Sequence, residues 1–115
     1  MAAWTVPATV VRIIDADTIL AELQLGWMIT LRNNLRLWGV NAPENSTPEG
    51  KAATAYVKGL LNPGDAIGVV SHRLLGQTDK YGRTLASVTL HDGRDLSTTL
   101  VDTGHAVPYM TSELR

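Results

Sequence analysis

Thr9-Val-Val-Arg-Ile-Ile-Asp-Ala-Asp-Thr-Ile-Leu-Ala-Glu-Leu-Gln-Leu25 is the stretch that decides the fold. Thr9 to Ile14 is β-branched and apolar and reads as a strand. Asp15-Ala-Asp17 reads as a tight turn, because Asp hydrogen-bonds its own nearby backbone there. Thr18 to Leu25 reads as a second strand, with Gly26 as its punctuation. Trp27 to Val40 is expected to form a third, longer strand, with a bend or bulge at Asn33-Asn34. Three strands joined by tight turns suggest a meander that curls into a barrel.

Downstream the period changes. Thr47-Pro48-Glu49 is a helix start: a hydroxyl cap, Pro at the first helical position and an acid in the first turn. Ala53, Tyr56, Val57, Leu60 and Leu61 then recur at helical spacing, and Asn62-Pro-Gly64 stops the run. Ala66 to Val70 is expected as a fourth strand and Tyr81 to Leu90 as a fifth, with His91-Asp-Gly93 as a hairpin-like turn. Asp95 caps a second helix, with Leu96, Leu100 and Val101 inward and Gly104 as its stop. The order β-β-β-α-β-β-α gives an α+β, mostly β class: a five-stranded Greek-key barrel of the OB type with two helices. Such barrels often bind nucleic acid, but fold alone does not assign function.

Composition narrows the classes. A chain of 115 residues fits one domain over residues 1–115, large enough for a single core. No Cys is present, which excludes a disulfide framework and a thiolate metal site. The first residues show neither a basic leader nor a long apolar run, so the expected location is cytoplasmic, with no membrane partner. The net charge of -1 argues against coating nucleic acid by charge alone. A local site for one or two phosphates needs only a few placed cations.

Three segments carry chemistry. Asp15 and Asp17, one residue apart at a turn, can aim oxygens at a hard cation; the bland alternative is a polar turn. Arg36 sits inside an apolar strand, where a guanidinium requires an anionic partner. Glu44 follows Pro43 in the loop beyond it, and a carboxylate held there can act as a general base toward water. An Arg36–Glu44 ion pair is the alternative, and either reading brings the two close. Lys80, Tyr81 and Arg83 place two cations and an aromatic ring within four residues: a fork for phosphate and a ring for a base. A solvated turn is the alternative there. His72, His91 and His105 show no metal or triad spacing and read as surface or edge residues.

Ile14-Asp-Ala-Asp-Thr18, Arg36-Leu-Trp-Gly-Val-Asn-Ala-Pro-Glu44 and Thr78-Asp-Lys-Tyr-Gly-Arg83, in this order, resemble the staphylococcal nuclease family. The resemblance runs from about Val10 to Tyr109, and the third segment is the most specific. It implies a Ca²⁺-dependent phosphodiesterase acting on DNA and/or RNA and leaving 3′-phosphate ends; the expected partner is DNA and/or RNA, single-stranded more than duplex. By the resemblance Asp17 is a calcium ligand, Asn41 stands at the second acidic ligand, and Ala42 offers a backbone carbonyl; Asp15, outside that set, could partly compensate for the uncharged Asn41. Glu44 matches the general base, Arg36 and Arg83 the phosphate clamp, Lys80 and Tyr81 contacts to a terminal phosphate, and Tyr109 an aromatic near the base.

Two departures shape the expectation. Asn41 offers an oxygen without a charge, so Ca²⁺ should bind weakly and activity should be reduced or need millimolar cation. The chain stops at Arg115, where the family carries a third helix; that helix is expected to be absent, leaving a surface that a second copy could cover as a homodimer. The leading expectation is an active sugar-nonspecific nuclease. The alternatives are an impaired module that binds nucleic acid or protein, and a structural barrel.

Overall fold

The computed structural model describes residues 5–72 and 78–109. Along the chain lie β1 (Thr5–Asp15), β2 (Thr18–Gly26), β3 (Ile29–Leu37), β4 (Val40–Asn41), α1 (Pro48–Leu60), β5 (Ala66–Ser71), β6 (Thr84–Thr89), α2 (Leu96–Asp102) and β7 (Val107–Pro108). Five strands close a barrel in the order β1-β2-β3-β6-β5, while β4 and β7 form a two-stranded pair. Every barrel pairing is antiparallel except β3 with β6, which closes the barrel in parallel. This is the five-stranded OB-type barrel with two helices expected from the sequence. The expected absence of a third helix concerns residues beyond Tyr109, outside the described residues.

Alternation builds the core. Ile19, Ala21 and Leu23 of β2 point inward and are fully buried, as are Leu35 and Leu37 of β3 and Ala86 and Val88 of β6. Each large side chain of this kind contributes about 1.5–3 kcal/mol on burial. β1 carries two register irregularities, between Val10 and Arg12 and between Ile13 and Asp15. Such bulges bend a strand and raise its twist, which lets β1 pair with both β2 and β5.

The helices form as their caps dictate. Thr47 caps α1 by accepting from the Gly50 N–H, and Asp95 caps α2 by accepting from the Thr98 N–H. Ala53 and Val57 of α1 are buried, with Tyr56 and Leu60 packed against the same core. Leu96 and Leu100 of α2 are buried, and Val101 is half-buried beside them. Gly104 ends the segment at φ 79, a conformation that favours glycine.

Three strand boundaries differ from expectation. β1 starts at Thr5 rather than Thr9. Pro7 is tolerated in this strand because β2 pairing begins only at Ala8, so that stretch pairs with β5 alone. The long third strand is instead a turn at Trp27-Met28, a regular β3, and a separate β4. Asn33 and Asn34 stay in register, without a bulge, because the Asn33 amide donates to Gly82 O and Thr84 Oγ1. The break falls instead at Gly39, where φ is 79. β6 begins at Thr84 rather than Tyr81, because the backbone of residues 79–83 folds around Asp79.

Candidate active site

One end of the barrel gathers the singled-out residues. Thr18, opening β2, pairs with Arg36 near the end of β3, and Leu35 beside it pairs with Thr84, opening β6. That register brings the turn after β1, the loop after β4 and the turn before β6 around one cleft of about 480 Å³. Asp15, Asp17, Arg36, Asn41, Ala42, Glu44, Tyr81, Arg83 and Tyr109 all line it. Lys80 does not line it; its Nζ lies 5.2 Å from the Tyr81 ring centroid.

Arg36 is buried, and its charge is met by several oxygens. Nη1 donates to the Leu37 and Val40 carbonyls at 2.9 Å each and lies 3.5 Å from Asp17 Oδ2. Nη2 donates to Asn41 Oδ1 at 3.2 Å. Three of the five guanidinium N–H groups are thus used among the described residues, leaving two for an anion. The expected proximity to Glu44 holds through the shared cleft, but the ion-pair partner is Asp17.

Arg83 is aimed differently. Asp79, outside the expected site set, is buried and receives Arg83 Nε and Nη2 at 2.8 Å each on Oδ2. Its Oδ1 accepts the backbone N–H groups of Tyr81 and Arg83 at 2.9 Å each. Burial raises the Asp79 carboxyl, but these bonds and the Arg83 charge outweigh it and hold the group below its ordinary value. Arg83 Cζ then lies 5.1 Å from the exposed Tyr81 ring. An Asp four residues before an Arg in a turn was the available signal.

Glu44 is exposed, and its backbone is bolted to α1. Its carbonyl accepts the Thr47 N–H at 2.9 Å and the Thr47 hydroxyl at 2.7 Å, while the same hydroxyl oxygen receives the Gly50 N–H at 3.0 Å. Thr54 Oγ1 donates to Asn45 Oδ1 at 3.0 Å. Gly50 is buried against this loop: a Cβ there would overlap the Glu44 carbonyl and stand 2.8 Å from the Pro43 carbonyl oxygen. The sequence reading also missed this glycine; its only signal is a helix breaker retained in a first turn.

The acidic pair fits a hard cation. Asp17 Oδ2 accepts the Ala42 N–H at 3.0 Å, and Oδ1 accepts the Thr18 hydroxyl at 3.3 Å. Asp15 Oδ1 is buried with no hydrogen-bond partner. Burial, then a hydrogen bond to Asp17 and its charge, push the Asp15 carboxyl up to about 6. An orphaned oxygen beside a second carboxylate is the donor set a divalent cation would satisfy. The set is thin, since no cluster of three His, Cys, Asp or Glu suited to a metal occurs among the described residues.

Fold and site together define an OB-type barrel with a polar cleft lined by two arginines and four carboxylates. The family model described as staphylococcal nuclease homologue matches residues 34–114, and the chain belongs to that family. It is 35% identical over 112 residues to Endonuclease YhcR of Bacillus subtilis (strain 168). That alignment takes in 85% of this chain and 8% of the relative, so the chain spans a small part of that protein's length. Family and relative together support a nuclease-type function.

Proposed function

We propose that this domain hydrolyses phosphodiester bonds of single-stranded DNA and/or RNA with Ca²⁺ bound. The observation that carries the reading is the convergence of Arg36, Arg83 and Glu44 with the Asp15–Asp17 pair on one cleft. Asp17 and Asp15 would hold the cation, with Asn41 and the Ala42 carbonyl as neutral donors. Bound there, Ca²⁺ would supply charge neutralisation to an already anionic phosphodiester. Arg36, with two N–H groups left over, and Arg83, held by Asp79, stabilise the extra charge on the equatorial oxygens of the transition state. Glu44, exposed on an anchored backbone, removes the proton from the attacking water. Loss of the 5′ oxygen leaves a 3′-phosphate end. The exposed Tyr81 ring offers a stacking face to an unpaired base, which favours single strands. Lys80 and Tyr109 are assigned to nucleotide contacts outside the reacting bond.

One observation favours a second reading, a binding module with impaired chemistry. Asn41 Oδ1 already accepts from Arg36, so the neutral donor is engaged. End-group analysis of a digested oligonucleotide separates the two. The enzyme reading expects 3′-phosphate products from the wild type and none from Glu44→Gln. Equal digestion by Glu44→Gln would remove Glu44 from the chemistry.

A further inference from the structure

A second cleft lies away from the site just described. It has a volume of about 590 Å³ and runs between β1 and the C-terminal end of α1. Ile14, Leu61 and Pro63 give it an apolar floor, and Arg12 and Lys58, both exposed, flank it. Elsewhere Arg32, Arg36, Arg83 and Arg94 are each neutralised by a carboxylate, from Glu22, Asp17, Asp79 and Asp92. Arg12, Lys51 and Lys58 have no ion pair among the described residues. In a chain of net charge -1, two of these three cations border one groove.

α1 connects that groove to the cleavage cleft. Lys51 and Lys58 are seven residues apart on α1, so they share a face about 10 Å apart along the axis. Lys51 follows Gly50, which abuts the Glu44 carbonyl. In sequence, Glu49 lies two residues before Lys51 and Asp15 three after Arg12, while the Asp65 carboxylate already accepts the Asn62 N–H at 2.8 Å. A lone anion would use only one end of such a row. A chain of phosphates would use all of it, with a base or sugar against the apolar floor.

We propose that the Arg12–Lys58 cleft is a second polynucleotide subsite, gripping the strand several nucleotides from the bond held at Glu44. This rests on the nuclease reading above for the position of the scissile bond. Its role is affinity for long strands, and it adds nothing to the chemical step.

The test measures binding in chelator by fluorescence anisotropy over a salt series. The probes are a long single-stranded oligonucleotide and a dinucleotide, with wild type and Arg12→Gln/Lys58→Gln. Both side chains are exposed, and thermal melts check that the variant is folded. The expected result is weaker oligonucleotide binding with a log–log salt slope shallower by about 1.4, from two lost contacts of about 0.7 each. Dinucleotide affinity is expected to stay the same. An unchanged slope, or equal weakening of both probes, would overturn the subsite. So would polyglutamate competing as well as the oligonucleotide, which would assign the cleft to an acidic protein. Cleavage with Ca²⁺ is scored separately: a chain that fails to cut but shows the slope change loses the catalytic reading and keeps the subsite. No binding of the oligonucleotide by the wild type in chelator would overturn the subsite, and no cleavage at any Ca²⁺ concentration would overturn the catalytic reading.

Discussion

Single residues set the site's electrostatics. Asp79 carries two backbone N–H bonds and both Arg83 contacts, so Asp79→Ala should reduce stability by about 1–3 kcal/mol. It should also release Arg83 and lower kcat roughly 10–100-fold; denaturant melts and steady-state kinetics check the two effects. On the proposed Ca²⁺ reading, Asn41→Asp adds a carboxylate beside Asp17 and should tighten Ca²⁺ binding roughly tenfold, read by calorimetry. Unchanged affinity would mean that Asn41 does not face the cation.

His72 belongs to this scale as well. It stacks on Trp38 with ring centroids 4.5 Å apart, and its Nε2 lies 2.7 Å from Ser87 Oγ. Burial holds it below its ordinary 6.5, against the opposing pull of the Asp95 charge. The unfolded chain therefore takes up the proton first as pH falls. His72's contribution to stability is complete above about pH 6.5 and declines as pH drops below it. The Asp79 contribution acts in a separate window, present above 3.8 and lost as pH falls through the lower folded value. Melts between pH 5 and 7 should steepen with His72 present and flatten in His72→Gln.

At the scale of elements, α1 is as much a mount for Glu44 as a cover for the barrel. Glycine inside a helix is ordinarily a loss of roughly 0.5–1 kcal/mol relative to Ala. At Gly50 the sign should reverse, because a Cβ meets the Glu44 backbone, which is itself tied to Thr47. Gly50→Ala should lower kcat about tenfold or more with little change in KM, since Glu44 moves while the phosphate clamp stays. An unchanged kcat would detach α1 from the chemistry.

The cap that anchors Glu44 was legible in Thr47-Pro48-Glu49, and so were the second helix and the five barrel strands. What stayed hidden depends on partners distant in sequence. Asn33 reads as a bend until Gly82 and Thr84 accept its amide. The start of β1 at Thr5 stayed hidden because Thr5 to Pro7 pair on one side only, with β5. Trp27 and Met28 carry none of the usual signals for a turn with φ of 53 and 63 at both positions. Of the site, most of the charged residues could be named from sequence; Asp79 was signalled only by its place four residues before Arg83, and Gly50 acts through a contact with the Glu44 backbone that spacing does not reveal.

At the scale of the whole molecule, the short parallel pairing of β3 with β6 does the gathering. Closing the barrel there sets Arg36 opposite Leu85 and brings the Asp79–Arg83 turn to the mouth where Asp17 and Glu44 lie. Charge is spent locally: four arginines are paired with carboxylates, and the cleft sets Arg36 and Arg83 among the four carboxylates of Asp15, Asp17, Glu44 and Asp79. No helix among the described residues is long and apolar enough to cross a membrane. The central claim is that this cleft, with Ca²⁺, cuts phosphodiesters. Its most direct test is the cleavage rate of a fluorescent single-stranded DNA over a Ca²⁺ series, with chelator and Glu44→Gln as controls. The account predicts a rate that rises into the millimolar range, vanishes in chelator and is lost in Glu44→Gln. A folded protein that cuts nothing at any Ca²⁺ concentration would contradict it.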